Sequence, residues 1–227
     1  MRFSAFLLLL LAAAVGMASG EPVICIDPGH PSEVGRGTQG KKYTEIGVAW
    51  KVALLLKKKL EADGYRVVLT KKTEDEMVRN KRRAEIANAS HAALLVRLHC
   101  DAEGGSGFGT YYPSRQGQVK GFRGPSTTVL RSSRVAASAF HRAAIASLAG
   151  MVADRGLKTD LATAIGAKQG ALTGSIYSKV PVLLVEMLVL TNPSDEAFLS
   201  DHDGFEKLAE ALSLGVHAAV PIQKSKP

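Results

Sequence analysis

The chain has 227 residues, 46% of them hydrophobic and 22% charged, with a formal net charge of +8. That length supports one domain with a full core. The basic excess suits an anionic partner such as cell-wall polymer, a membrane surface or nucleic acid, or simply a solvated surface, but one Trp and few other aromatics leave no stacking platform for nucleic acid.

In chain order, Met1-Arg2 is a short basic start, and Phe6 to Val15 is an apolar run too short to span a bilayer. Ala18-Ser19-Gly20 places small residues where a signal peptidase reads. Residues 1–20 therefore read as a signal peptide removed before Glu21. Residues 21–220 read as one soluble domain, periplasmic or extracellular, with Arg2 lost and a charge of +7. Export argues against nucleic acid as a partner, and no other stretch resembles a membrane span.

Val23 to Asp27 reads as a buried strand, and Ser32 to Lys42, with three glycines, as a loop. From Glu45 the apolar residues Ile46, Trp50, Ala53, Leu54, Leu56 and Leu60 keep near-helical spacing, and Asp63-Gly64 ends that helix. Tyr65 to Thr70 is a second strand. Thr73 to Asn88 is a helix with acidic residues in its first turn, and Ala92 to His99 a third strand. A turn-rich segment leads to a short strand at Thr110-Tyr111-Tyr112. Pro113 to Pro125 reads as a flexible polar loop and Ser133 to Arg155 as a long helix. Val180 to Leu190 is a strand, helices follow at Ser194-Asp195-Glu196 and Phe205 to Ala218, and residues 221–227 form a disordered tail. Strands alternating with helices predict a single α/β domain whose mixed, mostly parallel sheet is flanked by helices. Functional residues then gather at the carboxyl ends of strands.

His30, His99 and Glu186 each end an apolar run, and Glu45 opens a helix. Two imidazoles and one carboxylate are the ligand set of a catalytic zinc with an open fourth position. Glu33, three residues from His30, competes with Glu45 for the metal. Glu45 is preferred because its helix is rigidly packed through Ile46 and Trp50. Glu186 at the end of a buried strand is placed to move protons, although alone it could be an ordinary salt-bridged carboxylate. Asp27 falls short of the metal and suits fixing a loop or a histidine ring. Cys25 and Cys100 flank the candidate site, and buried free thiols are the preferred reading over a disulfide. His91, His141, His202 and His217 read as surface or helix-face residues.

Asp27-Pro28-Gly29-His30, Glu45, Arg83-x-x-x-Ala87-Asn88, His99-Cys100-Asp101-Ala102, Gly109-Thr110-Tyr111-Tyr112 and Val180-Pro181-Val182-Leu183-Leu184-Val185-Glu186 with Asn192-Pro193 stand in one order. Together they resemble the zinc-dependent N-acetylmuramoyl-L-alanine amidases, over nearly the whole mature chain. The resemblance implies Zn2+ held by His30, Glu45 and His99, with Glu186 as general base. It implies peptidoglycan as substrate, cut between the lactyl group of muramic acid and the first L-alanine. Four departures bear on substrate preference and turnover. Pro31-Ser32 replaces a Gly-Gly, Arg97 replaces a Ser, and Leu188-Val189 replaces a Gly-Phe. An arginine many members carry before the last strand is not evident near Ile176 and Tyr177. The segment from Tyr112 to Ser133 looks like an open loop rather than a plug over the metal, and whether an activator protein takes part is left open. Within the Pro113–Pro125 loop, Arg115, Lys120 and Arg123 are candidate contacts to an anionic stem peptide. Rival readings are another zinc hydrolase of the wall, a carboxypeptidase or sugar deacetylase, and a non-catalytic wall-binding protein on the same fold.

Overall fold

A computed structural model describes residues 20–102, 105–201 and 203–222. The candidate signal peptide, His202 and most of the tail lie outside the described residues. No helix among the described residues is long and apolar enough to cross a membrane.

Six strands form the central sheet: β1 (Val23–Pro28), β2 (Arg66–Leu69), β3 (Leu94–Asp101), β4 (Phe108–Tyr112), β7 (Asp154–Thr159) and β8 (Val182–Val189), after a separate two-stranded hairpin of β5 (Gly117–Val119) and β6 (Phe122–Gly124). The order is β2-β1-β3-β8-β4-β7. All neighbours pair parallel except β4 with β8, which run antiparallel. The sheet is mixed and mostly parallel, as the alternation of elements predicts.

Side-chain alternation along the strands separates two faces. Ile24, Ile26, Leu94, Val96, Leu98, Leu183 and Val185 enter the main core with helices α1 (Glu45–Ala62), α3 (Thr127–Ser147) and α7 (Gly204–Ala219). α1 starts at Thr44, whose side chain accepts from Gly47 N–H, and buries Val48, Ala49, Val52, Leu56 and Leu60. Helices α3 and α7 approach closely where Gly215 faces the Phe140 ring, since a Cβ there would lie 2.7 Å from Phe140 Cδ2. The other face carries a small cluster of Cys25, Ala87, Ala92, Leu95 and Val182 under α2 (Asn80–Ala89). Asp27, Arg97, His99 and Glu186 project on that second face.

Several elements differ from the sequence expectation. α2 begins only at Asn80. The acidic residues expected in its first turn are spent elsewhere: Asp75 pairs with Arg36, Glu76 accepts Lys72 N–H, and Glu33 takes the Asn80 N–H at the true start. The long helix runs from Thr127, capped by Ser126, and stops at Ser147, so that Asp154–Thr159 becomes edge strand β7. The Pro113–Pro125 segment is not an open loop. It folds as the β5–β6 hairpin, with Lys120 and Gly121 at positive φ (48° and 79°) in a two-residue turn. Two short helices, α4 (Ala164–Gln169) and α5 (Thr173–Ile176), were not expected. α6 (Pro193–Ser200) starts at Asn192, whose side chain caps Ser194 and Asp195 N–H.

Candidate metal centre and catalytic cleft

His30 leaves β1 at positive φ (49°), and its ring is oriented by Nδ1 against the Gly35 carbonyl at 3.0 Å. That contact leaves Nε2 for the site. The loop is held from below. Arg83 donates to the carbonyls of Pro28, Pro31 and Val78, and to Asp27. Lys71 Nζ donates to the carbonyls of His30 and Glu74, and burial, then the Arg83 charge, pushes its pKa down to about 8. Asp27 is fully buried and accepts from Thr70, Arg83 and Arg97. Burial would raise its pKa, but the two guanidiniums and the Thr70 hydroxyl hold it well below the carboxylate range.

Glu45 is the first residue of α1. Its Oε2 accepts Thr38 N–H at 2.8 Å, and its Oε1 lies 2.8 Å from His99 Nδ1 and 3.5 Å from His30 Nε2. The three ligand atoms of His30, Glu45 and His99 all fall within 4.8 Å of one another. Close approach is possible because two glycines line the loop. A Cβ on Gly29 would stand 2.7 Å from His99 Cε1, and Gly37, at φ +79°, leaves room for Glu45 and the His30 ring.

The protonation states suit a cation. Burial lowers the His99 pKa, only partly opposed by Glu45, which favours the neutral imidazole. Burial would raise Glu45, but His99, His30 and Thr38 N–H outweigh it and keep the carboxylate ionised. Two imidazoles and one carboxylate converging from a loop, a helix and a strand fit a three-ligand zinc site. Glu33, the rival ligand, caps α2 instead.

Glu186 on β8 is the register partner of His99 on β3, one strand spacing away, about 4.8 Å. Both residues lie inside their strands rather than at the ends, because β3 continues to Asp101 and β8 to Val189. Glu186 Oε2 and His99 Nε2 are buried without hydrogen-bond partners among the described residues. Burial, then the charges of Glu45 and Asp101, pushes the Glu186 pKa well above the usual range, with Arg155 and Arg97 offsetting only part.

These groups open into a cleft of about 490 Å³. Its walls include Val34, Ile165, Leu172 and Leu184, and its floor and rim include Asn80, Arg97 and Lys120. Of the three candidate contact residues on the hairpin, Lys120 alone lines this cleft; Arg115 and Arg123 line a separate hollow with Lys168 and Gln169. Cys25 and Cys100 are buried and free, and burial pushes both thiols up. His91 is exposed, and His217 pairs with Asp63 and Tyr65. His141 is a correction. It is buried, bonded to Thr110 and Asp154, and ties α3 to β4 and β7. Sequence reasoning marked Arg97 only as a departure bearing on substrate preference and turnover; the structure puts it in the cleft lining. The signal was present as an unusual charged residue in an apolar strand, two before His99.

Residues 24–218 match the model of the N-acetylmuramoyl-L-alanine amidase family. The chain belongs to that family. An N-acetylmuramoyl-L-alanine amidase of Mycobacterium tuberculosis is 28% identical over 91% of this chain and 93% of its own length. Among solved structures, the amidase Ami1 of Mycobacterium smegmatis superposes with a TM-score of 0.71 at 22% identity, covering 90% of this chain and 99% of that one. An amidase of Clostridium difficile 630 gives 0.68 at 26% identity, covering 87% and 96%. In this amidase, His30, His99 and Glu186 line one cleft, and Glu45 lies against the two histidines.

Proposed function

We propose that this amidase is an exported zinc hydrolase that cleaves the amide between N-acetylmuramic acid and L-alanine in peptidoglycan. The observation that supports the mechanism is the pairing of His99 and Glu186 across adjacent strands, which brings the Glu186 carboxyl beside the His30, Glu45 and His99 cluster. When bound, zinc supplies Lewis acidity and a water whose pKa falls to about 7. His30, Glu45 and His99 would hold it. Glu186, with its raised affinity for a proton, takes one from the attacking water and delivers it to the leaving alanine nitrogen. Asp27 acts at a distance by holding the two arginines, of which Arg83 fixes the loop that carries His30. The cleft lining offers the glycan-peptide polymer three cations, Arg79, Lys81 and Lys120, beside the acid Glu33.

The intact ligand set with Glu186 beside it argues against a non-catalytic wall-binding protein. A carboxypeptidase or deacetylase would use similar groups, and the product tells them apart. Purified sacculi digested with the zinc-loaded protein should release peptides beginning with L-alanine, and a chelator should stop the release until zinc is restored. Release of D-alanine or acetate instead would overturn the assignment.

A further inference from the structure

Arg97 and Arg83 share one buried partner, Asp27, and both side chains are almost wholly buried. Within this trio two cations share one carboxylate in a place where charge is costly. The two arginines are not equivalent. Arg83 spends its donors on Asp27 and on three backbone carbonyls, and it does not line the cleft. Arg97 gives Nε to Asp27 at 2.8 Å and Nη2 to Asn80 Oδ1 at 2.5 Å. Its Nη1 donates to no group among the described residues, and both Arg97 and Asn80 line the cleft. Two further buried acids feel the Arg97 charge, Glu186 and Asp160, which accepts Leu172 N–H, and neither makes an ion pair with Arg97 among the described residues.

We propose that Arg97, oriented by Asp27 and Asn80, is a carboxylate-binding, specificity-determining residue for the peptide side of the substrate. This rests on the amidase reading above. Arg97 is two residues from His99 on the same face of β3, about 7 Å along the strand. An extended peptide advances about 3.3–3.6 Å per residue, so the distance matches a carboxylate borne by the residue after the alanine. The glycan side cannot supply that group, because the lactyl carboxyl is consumed in the scissile amide. Nη1 is the donor left over, and a guanidinium N–H is well matched to a carboxylate oxygen. Gly174 sets its position: a Cβ there would lie 2.8 Å from Arg97 Nη1.

The test uses zinc-loaded full-length protein and two synthetic muramoyl peptides. They differ only in whether the residue after the alanine carries a free carboxylate or a carboxamide. Wild type should favour the carboxylate by about tenfold to a hundredfold in kcat/KM, the range of one charged hydrogen bond. Arg97→Gln should bring the ratio to about one while zinc content is kept. Gly174→Ala, whose methyl would press on Nη1, Cζ and Nε and displace the guanidinium, should lower the ratio too, and serves if Arg97→Gln does not fold. Equal rates for the two peptides in wild type would overturn the subsite and leave the amidase reading standing. Cleavage of neither would overturn both.

Discussion

Two residues in the cleft make opposite demands on the fold. On the proposed reading His99 supplies a ligand atom, so His99→Ala should cut bound zinc from about one equivalent to a small fraction, measured on the purified protein. Glu186 is asked only to carry a proton, so Glu186→Gln should keep the metal and lose about two to four powers of ten in turnover. It should also raise Tm in metal-free protein at neutral pH. The folded state holds the Glu186 proton more tightly than the unfolded state does, because its pKa is raised by burial and by Glu45 and Asp101. Keeping that carboxylate ionised above its unfolded pKa therefore costs stability, and the amide removes the cost. An unchanged or lower Tm would mean that the buried carboxylate is relieved by a partner. The two thiols make no such demand. Cys25 and Cys100 should resist a thiol reagent in the folded protein at pH 8 and react once it is unfolded, because burial keeps both protonated.

At the scale of elements, the hairpin is the piece whose role changes most between sequence and structure. As a loop its three cations would act together, but as a β5–β6 hairpin it presents Lys120 to the cleft and turns Arg115 and Arg123 to another hollow. Lys120→Ser should weaken sacculus binding at low salt, with a smaller loss at high salt where the charge is already screened. The Arg115→Ser, Arg123→Ser pair should bind as wild type does. Helix packing gives a second element-scale outcome. Gly215→Ala forces a methyl group against the Phe140 ring and should cost about 1–3 kcal/mol, read as a drop in the denaturant midpoint. Elements with apolar periodicity and a cap were legible beforehand: β1, α1, β3 and β8 fall within a few residues of expectation. β7 was not, because Asp154–Thr159 is a half-exposed edge strand stabilised by pairing to β4 rather than by an apolar pattern. The start of α2 was misplaced because acidic residues resemble a helix first turn even when they serve a loop. That His30, Glu45, His99 and Glu186 come together was legible because their residue types are costly to bury. The importance of Arg97 was not, because it depends on Asp27, Asn80 and Gly174 meeting it from three other elements.

Over the whole molecule, Asp27 is the electrostatic centre, joining β1 to β3 and α2 and reaching Thr70 just beyond β2. Its folded pKa is held below the unfolded value, so its contribution is full above about pH 4. That contribution fades as the pH falls toward its folded value. Asp27→Asn should accordingly lower Tm at pH 7 and leave a smaller difference from wild type at pH 2–3. A difference that grows with acidification would reverse the sign and remove Asp27 from that role.

The place of β8 has a consequence for how the chain comes together during synthesis. His30, Glu45 and His99 all belong to the first portion of the chain, through β3, and can meet as soon as that portion emerges. Glu186 arrives much later, when β8 slides between β3 and β4, the two strands it joins with opposite polarity. Until then β3 and β4 each present an unpaired backbone edge, the feature that makes nascent sheets stick to one another. The insertion that brings Glu186 beside His99 also seals the sheet, so a molecule whose cleft is complete is one whose last exposed edges at its centre have closed.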